Sequence, residues 1–163
     1  MKKTLLVSVL LTCFFLADAK HITGGEMMYT YIGPGSSPNS AQYRITLMLF
    51  RDESCLDCAG MPTDVTIGIF NNDNNTLYAA FSGIPINNTT GVSTNSLPPC
   101  ITNPPTLTYT VGYYSFNVEL PANSFGYTAA YQTCCRIDGI QNVPNSVGAT
   151  YTCKMPGTRS FPA

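Results

Sequence analysis

The hydrophobic positions of this chain recur at every second residue. In Tyr43-Arg44-Ile45-Thr46-Leu47-Met48-Leu49-Phe50-Arg51, one face collects Tyr43, Ile45, Leu47 and Leu49, and the other collects Arg44, Thr46 and Met48. A period of two marks a strand with one buried face, because successive side chains of extended backbone point to opposite sides. Residues 64–70 repeat the pattern with Val65, Ile67 and Ile69 on one side. Asn71-Asn72-Asp73-Asn74-Asn75 then supplies turn residues and 76–81 returns, which predicts a hairpin. Residues 106–120 form a long stretch full of Tyr, Val and Phe, with Gly112 a candidate bulge. Residues 29–32, 127–136 and 149–155 complete the set. No segment keeps a helical period beyond a turn or two. The pattern therefore predicts an all-β fold, an immunoglobulin-like β-sandwich of about seven strands. Residues 33–40 and 85–105 read as loops, and the second is long enough to be functional or flexible.

The first residues do not belong to this pattern. Met1-Lys2-Lys3 precedes an apolar run from Leu5 to Leu16, and Ala17-Asp18-Ala19 follows. A basic start, a short apolar run and an A-x-A site predict a secretory signal peptide over 1–19, cleaved after Ala19. The run is shorter than the roughly 20 residues a membrane helix needs. Residues 20–163 then form a single extracellular domain, secreted or held at the cell surface, with no later apolar run long enough to span a bilayer.

Cleavage alters the composition. The whole chain has 8 basic and 9 acidic residues, a single His and no Trp. Removing Lys2, Lys3 and Asp18 takes two basic residues and one acidic residue, so the net charge moves from -1 to -2. There is no basic stripe to neutralise phosphates, which excludes an ordinary nucleic-acid binder. Cys13 leaves too, and the odd count of 7 cysteines becomes Cys55, Cys58, Cys100, Cys134, Cys135 and Cys153. An even number in an exported chain predicts structural disulfides. Cys55-Leu56-Asp57-Cys58 has C-x-x-C spacing, but Ala59-Gly60-Met61-Pro62 leads out as a turn, where a redox motif needs a helix. Zinc would need a second spaced pair, and Cys134-Cys135 has the wrong spacing. Adjacent residues in a strand face opposite ways, so Cys134 and Cys135 need separate partners, with Cys100 the expected partner of one. Fifteen connectivities remain open for six cysteines.

Little else points to chemistry. His21 stands alone near the mature terminus. Asp52, Glu53, Asp57 and Asp64 surround the Cys55 loop, but a glycosidase needs two carboxylates held about 5–10 Å apart in a cleft. That acidic loop and Asn71 to Asn75 are the places where calcium would find oxygen ligands, although neither matches a known calcium loop. Asn74, Asn87 and Asn88 each begin an N-x-T acceptor. No cofactor and no catalytic residue are expected. Tyr29, Tyr31, Tyr113 and Tyr114 are the candidate contact residues, since tyrosine is enriched at interfaces.

Several stretches together carry a resemblance. His21-Ile22-Thr23-Gly24-Gly25-Glu26-Met27-Met28-Tyr29-Thr30-Tyr31-Ile32-Gly33 follows the signal peptide, and residues 43–52 come next. Gly126-Tyr127, Tyr131-Gln132-Thr133-Cys134-Cys135-Arg136 and Ile140-Gln141-Asn142 lie further on. Their order and spacing resemble the N-terminal module of very large cell-surface proteins of the Bacteroidota. Such proteins often continue into PKD or other immunoglobulin-like repeats, and many end in a gliding-motility-associated or type IX secretion sorting domain. The resemblance implies a non-catalytic structural or adhesive module, the first piece of a longer surface protein or filament. Its partners would be other surface-protein domains or sister subunits, with glycans a further possibility. The alternative is a secreted carbohydrate-binding or hydrolytic accessory domain. Convergence of Asp52, Asp57, Asp64 or Glu119 in one pocket would favour it.

Overall fold

A computed structural model describes residues 22–54, 60–93, 107–134 and 147–157. The stretch expected to be a signal peptide, His21, Asp57, Cys55, Cys58, Cys100 and Cys135 lie outside them. Eight strands form, and no helix occurs among the described residues. They are β1 (Ile22–Pro34), β2 (Ser40–Asp52), β3 (Asp64–Asn71), β4 (Thr76–Pro85), β5 (Asn88–Ser93), β6 (Thr108–Pro121), β7 (Tyr127–Thr133) and β8 (Ala149–Met155). Two antiparallel four-stranded sheets result, in the orders β1-β2-β6-β5 and β4-β3-β7-β8.

The alternation seen in the sequence sets the packing. Tyr43, Ile45, Leu47 and Leu49 of β2 face Val65, Ile67 and Ile69 of β3 across one continuous core, joined by Tyr114, Val118 and Leu120 of β6 and by Tyr127, Ala129 and Tyr131 of β7. Ile45, Leu47, Leu49, Ile67 and Ile69 lose all contact with solvent. Burying each such side chain contributes about 1.5–3 kcal/mol, which is what holds two sheets with so few charges together.

Two expectations change. β5 lies inside the stretch read as a loop, and it raises the strand count to eight. Gly112 is no bulge: the β2–β6 ladder runs through it without a register shift, pairing it with Leu49. A Cβ there would meet Met61 Cγ at 2.9 Å and Ile86 Cδ1 at 3.1 Å, so glycine makes room for the segments that cross from one sheet to the other. The real bulges lie at β1, between Ile22 and Gly24 and between Tyr31 and Gly33, and in the β3–β4 pair.

The end of the sandwich near β7 is tied by a polar knot. Asp73 accepts backbone N–H groups of Ser124 (3.0 Å) and Phe125 (2.6 Å), and the Asn72 side chain donates to Phe125 O (3.1 Å). Gly126 then turns the chain into β7 at a φ of 77°, where a Cβ would lie 2.0 Å from Met155 O. Tyr127, the first residue of β7, donates its hydroxyl back to Pro121 O at 3.1 Å.

Candidate functional site

The four candidate tyrosines divide by strand position. Tyr114 is fully buried, at 0% exposure, and its hydroxyl donates to Pro62 O at 2.6 Å. Burial pushes its pKa up to about 12. It is a core residue, which corrects its assignment as a contact. Tyr113 points to the opposite face and is half-buried. The alternation of a strand forbids both from facing outward, and that signal was present in the sequence.

Tyr29 and Tyr31 stay exposed, at 36% and 45%. Both stack edge-on against the buried Tyr43, with ring centroids 5.9 and 5.8 Å away. Met28 and Ile32 on the same strand are exposed as well and were missed in the sequence. Four of the ten exposed large apolar or aromatic side chains among the described residues thus lie on β1. They remain exposed because β1 is an edge strand, paired to β2 alone among the described residues.

The direction of the main chain follows from two hydrogen bonds. Thr23 Oγ1 donates to Phe50 O at 3.0 Å, so that carbonyl faces β1. Asn87 N donates to Tyr113 O at 2.8 Å, so Tyr113 faces β5. With the pairing of Gly24 to Phe50, Glu26 to Met48 and Met28 to Thr46, alternation turns the N–H and C=O groups of Gly25, Met27 and Tyr29 toward the open edge.

The outer face of the same sheet carries an apolar groove of about 440 Å³, lined by Thr23, Gly24, Phe50, Val92, Tyr109 and Val111. A second, polar cleft of about 580 Å³ lies between the Asn71–Asn75 turn and the β6–β7 corner. Its oxygens already accept hydrogen bonds. Asn71 Oδ1 takes Asp73 N and Asn123 Nδ2, and the Asp73 carboxylate takes Ser124 N and Phe125 N. No group of three metal-ligating side chains occurs among the described residues.

Among the described residues, Asp52 and Glu119 do not converge. Asp52 pairs with Tyr109, ten residues from Glu119 along β6, which is about 33 Å at the rise of a strand. Ser54 holds the Asp52 carboxyl below its ordinary range, and Arg51, in an ion pair, does the same for Glu53. Glu119 is lowered further by the Ser40 and Ser36 hydroxyls and the Ser37 N–H, which donate to it at 2.6, 2.7 and 2.8 Å. Asp64 begins β3 in the other sheet. A general acid would need a raised pKa, and these shifts run the other way.

Of the expected staple residues, Cys134 and Cys153 are within the described residues, and both are free thiols. Cys134 is exposed just past β7, and Cys153 is buried on β8 opposite Ala129. Burial pushes the Cys153 thiol up to about 11, which keeps it protonated and unreactive. Comparison of the chain with protein-family models, curated proteins and solved structures gives no match.

Proposed function

We propose that this chain is a non-catalytic extracellular structural and adhesive module of immunoglobulin-like fold, part of a cell-surface protein or filament. The exposed edge strand β1 carries this reading. Met28, Tyr29, Tyr31 and Ile32 give it a side-chain surface suited to another protein domain. The strand order supports the immunoglobulin-like assignment, since β1-β2-β6-β5 and β4-β3-β7-β8 correspond to an A-B-E-D sheet facing C′-C-F-G. Tyr127 adds to it, because a tyrosine opening strand F and bonding back across the E–F corner is a mark of such domains. The disulfide that pins strands B and F in antibody domains has no counterpart here. Core-facing positions of β2 and β7 hold Ile, Leu, Ala and Tyr. Export by the signal peptide, and oxidation outside the cell of the cysteines other than Cys134 and Cys153, belong to the same reading. Peptide mapping without reductant reads the pairing.

The carbohydrate-binding alternative has the apolar groove as its best support. Phe50 and Tyr109 offer rings, but Thr23 and the Tyr109 hydroxyl are the only polar side-chain groups in the lining, and a sugar needs more. The test uses Tyr31→Ser/Ile32→Ser, which leaves the core intact. Cross-linking on intact cells should capture neighbouring surface proteins or sister chains with the natural sequence and lose them with the variant. Equal capture by both, or turnover of polysaccharide or peptide substrates by the purified protein, sinks the reading.

A further inference from the structure

We propose that β1 joins a second copy of this chain, edge to edge and antiparallel, so that two four-stranded sheets become one eight-stranded sheet. The inference rests on the reading of β1 as the contact strand and names its partner. A row of outward N–H and C=O groups specifies an extended strand as its ligand, since nothing else satisfies alternating donors and acceptors at that spacing.

Natural edges are normally blunted by charges, prolines, bulges or brevity. The other three edges of the sandwich are. β4 meets two register shifts in its pairing with β3, turns at Gly83 with a φ of 68° and ends at Pro85. β5 has 6 residues. β8 has 7 and carries Lys154. β1 has 13 residues and also ends at a proline, Pro34, but it keeps a regular run from Gly24 to Tyr31 between its two bulges, with Glu26 as its one charge. It is the long, regular edge that the others avoid being.

The side chains favour one register. A two-fold axis at Met28 sets Met28 against a second copy's Met28 and Glu26 against its Thr30, whose hydroxyl can donate to the carboxylate. On the other face Met27, buried in its own core, stands opposite a second copy's Tyr29 and adds register without a new side-chain surface. Glu26 never faces itself. Met27 and Tyr29 become narrow pairs, giving about four main-chain hydrogen bonds, two for each pairing. An axis at Met27 would instead put Glu26 against Met28, a charge against an apolar side chain.

The experiment is sedimentation of the mature chain with Met28→Lys and Met28→Glu variants. Met28 is exposed and lies outside the core, so either variant should keep the natural melting behaviour. The natural chain should dimerise at about 0.1 mM, the range of a small interface. Each variant alone should bind itself at least about tenfold more weakly, because like charges then face each other in a pair about 4.5 Å apart. An equimolar mixture should regain the dimer. Tyr29→Pro, which removes one outward N–H, should dimerise more weakly than Tyr29→Ala, which loses the same ring and keeps the donor. A natural chain that stays monomeric overturns the proposal. So does a mixture no better than its components, or equal dimerisation by the Pro and Ala variants. If the natural chain is monomeric while Tyr31→Ser/Ile32→Ser still loses surface partners, the pairing alone has failed. If that variant loses nothing, the reading of β1 has failed with it.

Discussion

β1 and β6 are the two neighbours of β2, and each runs antiparallel along most of its length. Both carry tyrosines beside core positions. Yet Tyr114 of β6 has no solvent contact, while Tyr29 and Tyr31 of β1 remain about two-fifths exposed. Leu47 pairs with Tyr114 on one side and with Met27 on the other, so the ladders are alike. What differs is place in the sheet. β6 is flanked by β2 and β5 and covered by the second sheet, whereas β1 is last in line. The fate of a tyrosine here is decided by which strand lies beyond it, and the sharpest way to break the comparison is to remove the buried ring.

Tyr114→Ala should cost about 3–5 kcal/mol, the range for a large core aromatic, read as a lowered denaturation midpoint at unchanged m-value. Tyr114→Phe keeps the ring but strands Pro62 O, and its cost should be about 1–3 kcal/mol. The hydroxyl also sets an alkaline limit. Its folded pKa lies above the unfolded value of 10.0, at about 12. The folded state therefore holds its proton more tightly, and this stabilisation is fully present below pH 10.0 and lost as pH rises toward 12. Tyr114→Phe should flatten that decline between the two values. A decline as steep as that of the natural chain would remove Tyr114 from the account.

Tyr127→Phe probes the corner in the same way. It removes a part-buried hydroxyl bond to Pro121 O, so about 1 kcal/mol is expected. A loss well above that would mean the corner fixes the approach of β6 to β7 and does more than satisfy one carbonyl.

β2 and β3 were legible in the sequence because Ile, Leu and Val alternate cleanly with polar residues, and the fold class followed from them. β5 was not. All six of its residues, Asn88 to Ser93, are exposed, so no apolar period marks it, and it is a strand only because the edge of β6 gives it a partner. β1 was legible over four residues and extends back to Ile22, since Gly24 and Gly25 dilute its signal. Met28 and Ile32 were missed because alternation separates two faces but does not say which face of an edge strand stays uncovered. Glu119 looked like a free candidate acid. Only the fold brings Ser36, Ser37 and Ser40, some 80 residues away in sequence, onto its carboxylate.

That clasp predicts a smaller effect at the other end of the pH scale. The folded pKa of Glu119 is depressed, so its contribution is present above the unfolded carboxylate value and lost as pH falls through the folded one. Glu119→Gln should weaken the decline of stability below about pH 4 and lower neutral stability by the same small amount, kept small because solvent screens the carboxylate. A decline below pH 4 that is identical in the natural chain and the variant would assign acid sensitivity to other carboxylates, with Asp52 and Glu53 next in line.

The smallest change in stability is expected on β1, and it completes the comparison with Tyr114. Tyr31→Ala removes a ring that stacks on Tyr43 but is 45% exposed. The loss should stay at or below about 1 kcal/mol, the value of an aromatic pair with little burial behind it. The same chemical truncation thus costs several times less on β1 than on β6. A loss approaching that of Tyr114→Ala would mean that β1 is held in the folded core by Tyr31 and is not available for contact. A near-neutral effect on unfolding, together with loss of surface partners when Tyr31 is changed with Ile32, would separate the two roles. β6 then spends its aromatic side chain on the fold, and β1 keeps its own for another molecule.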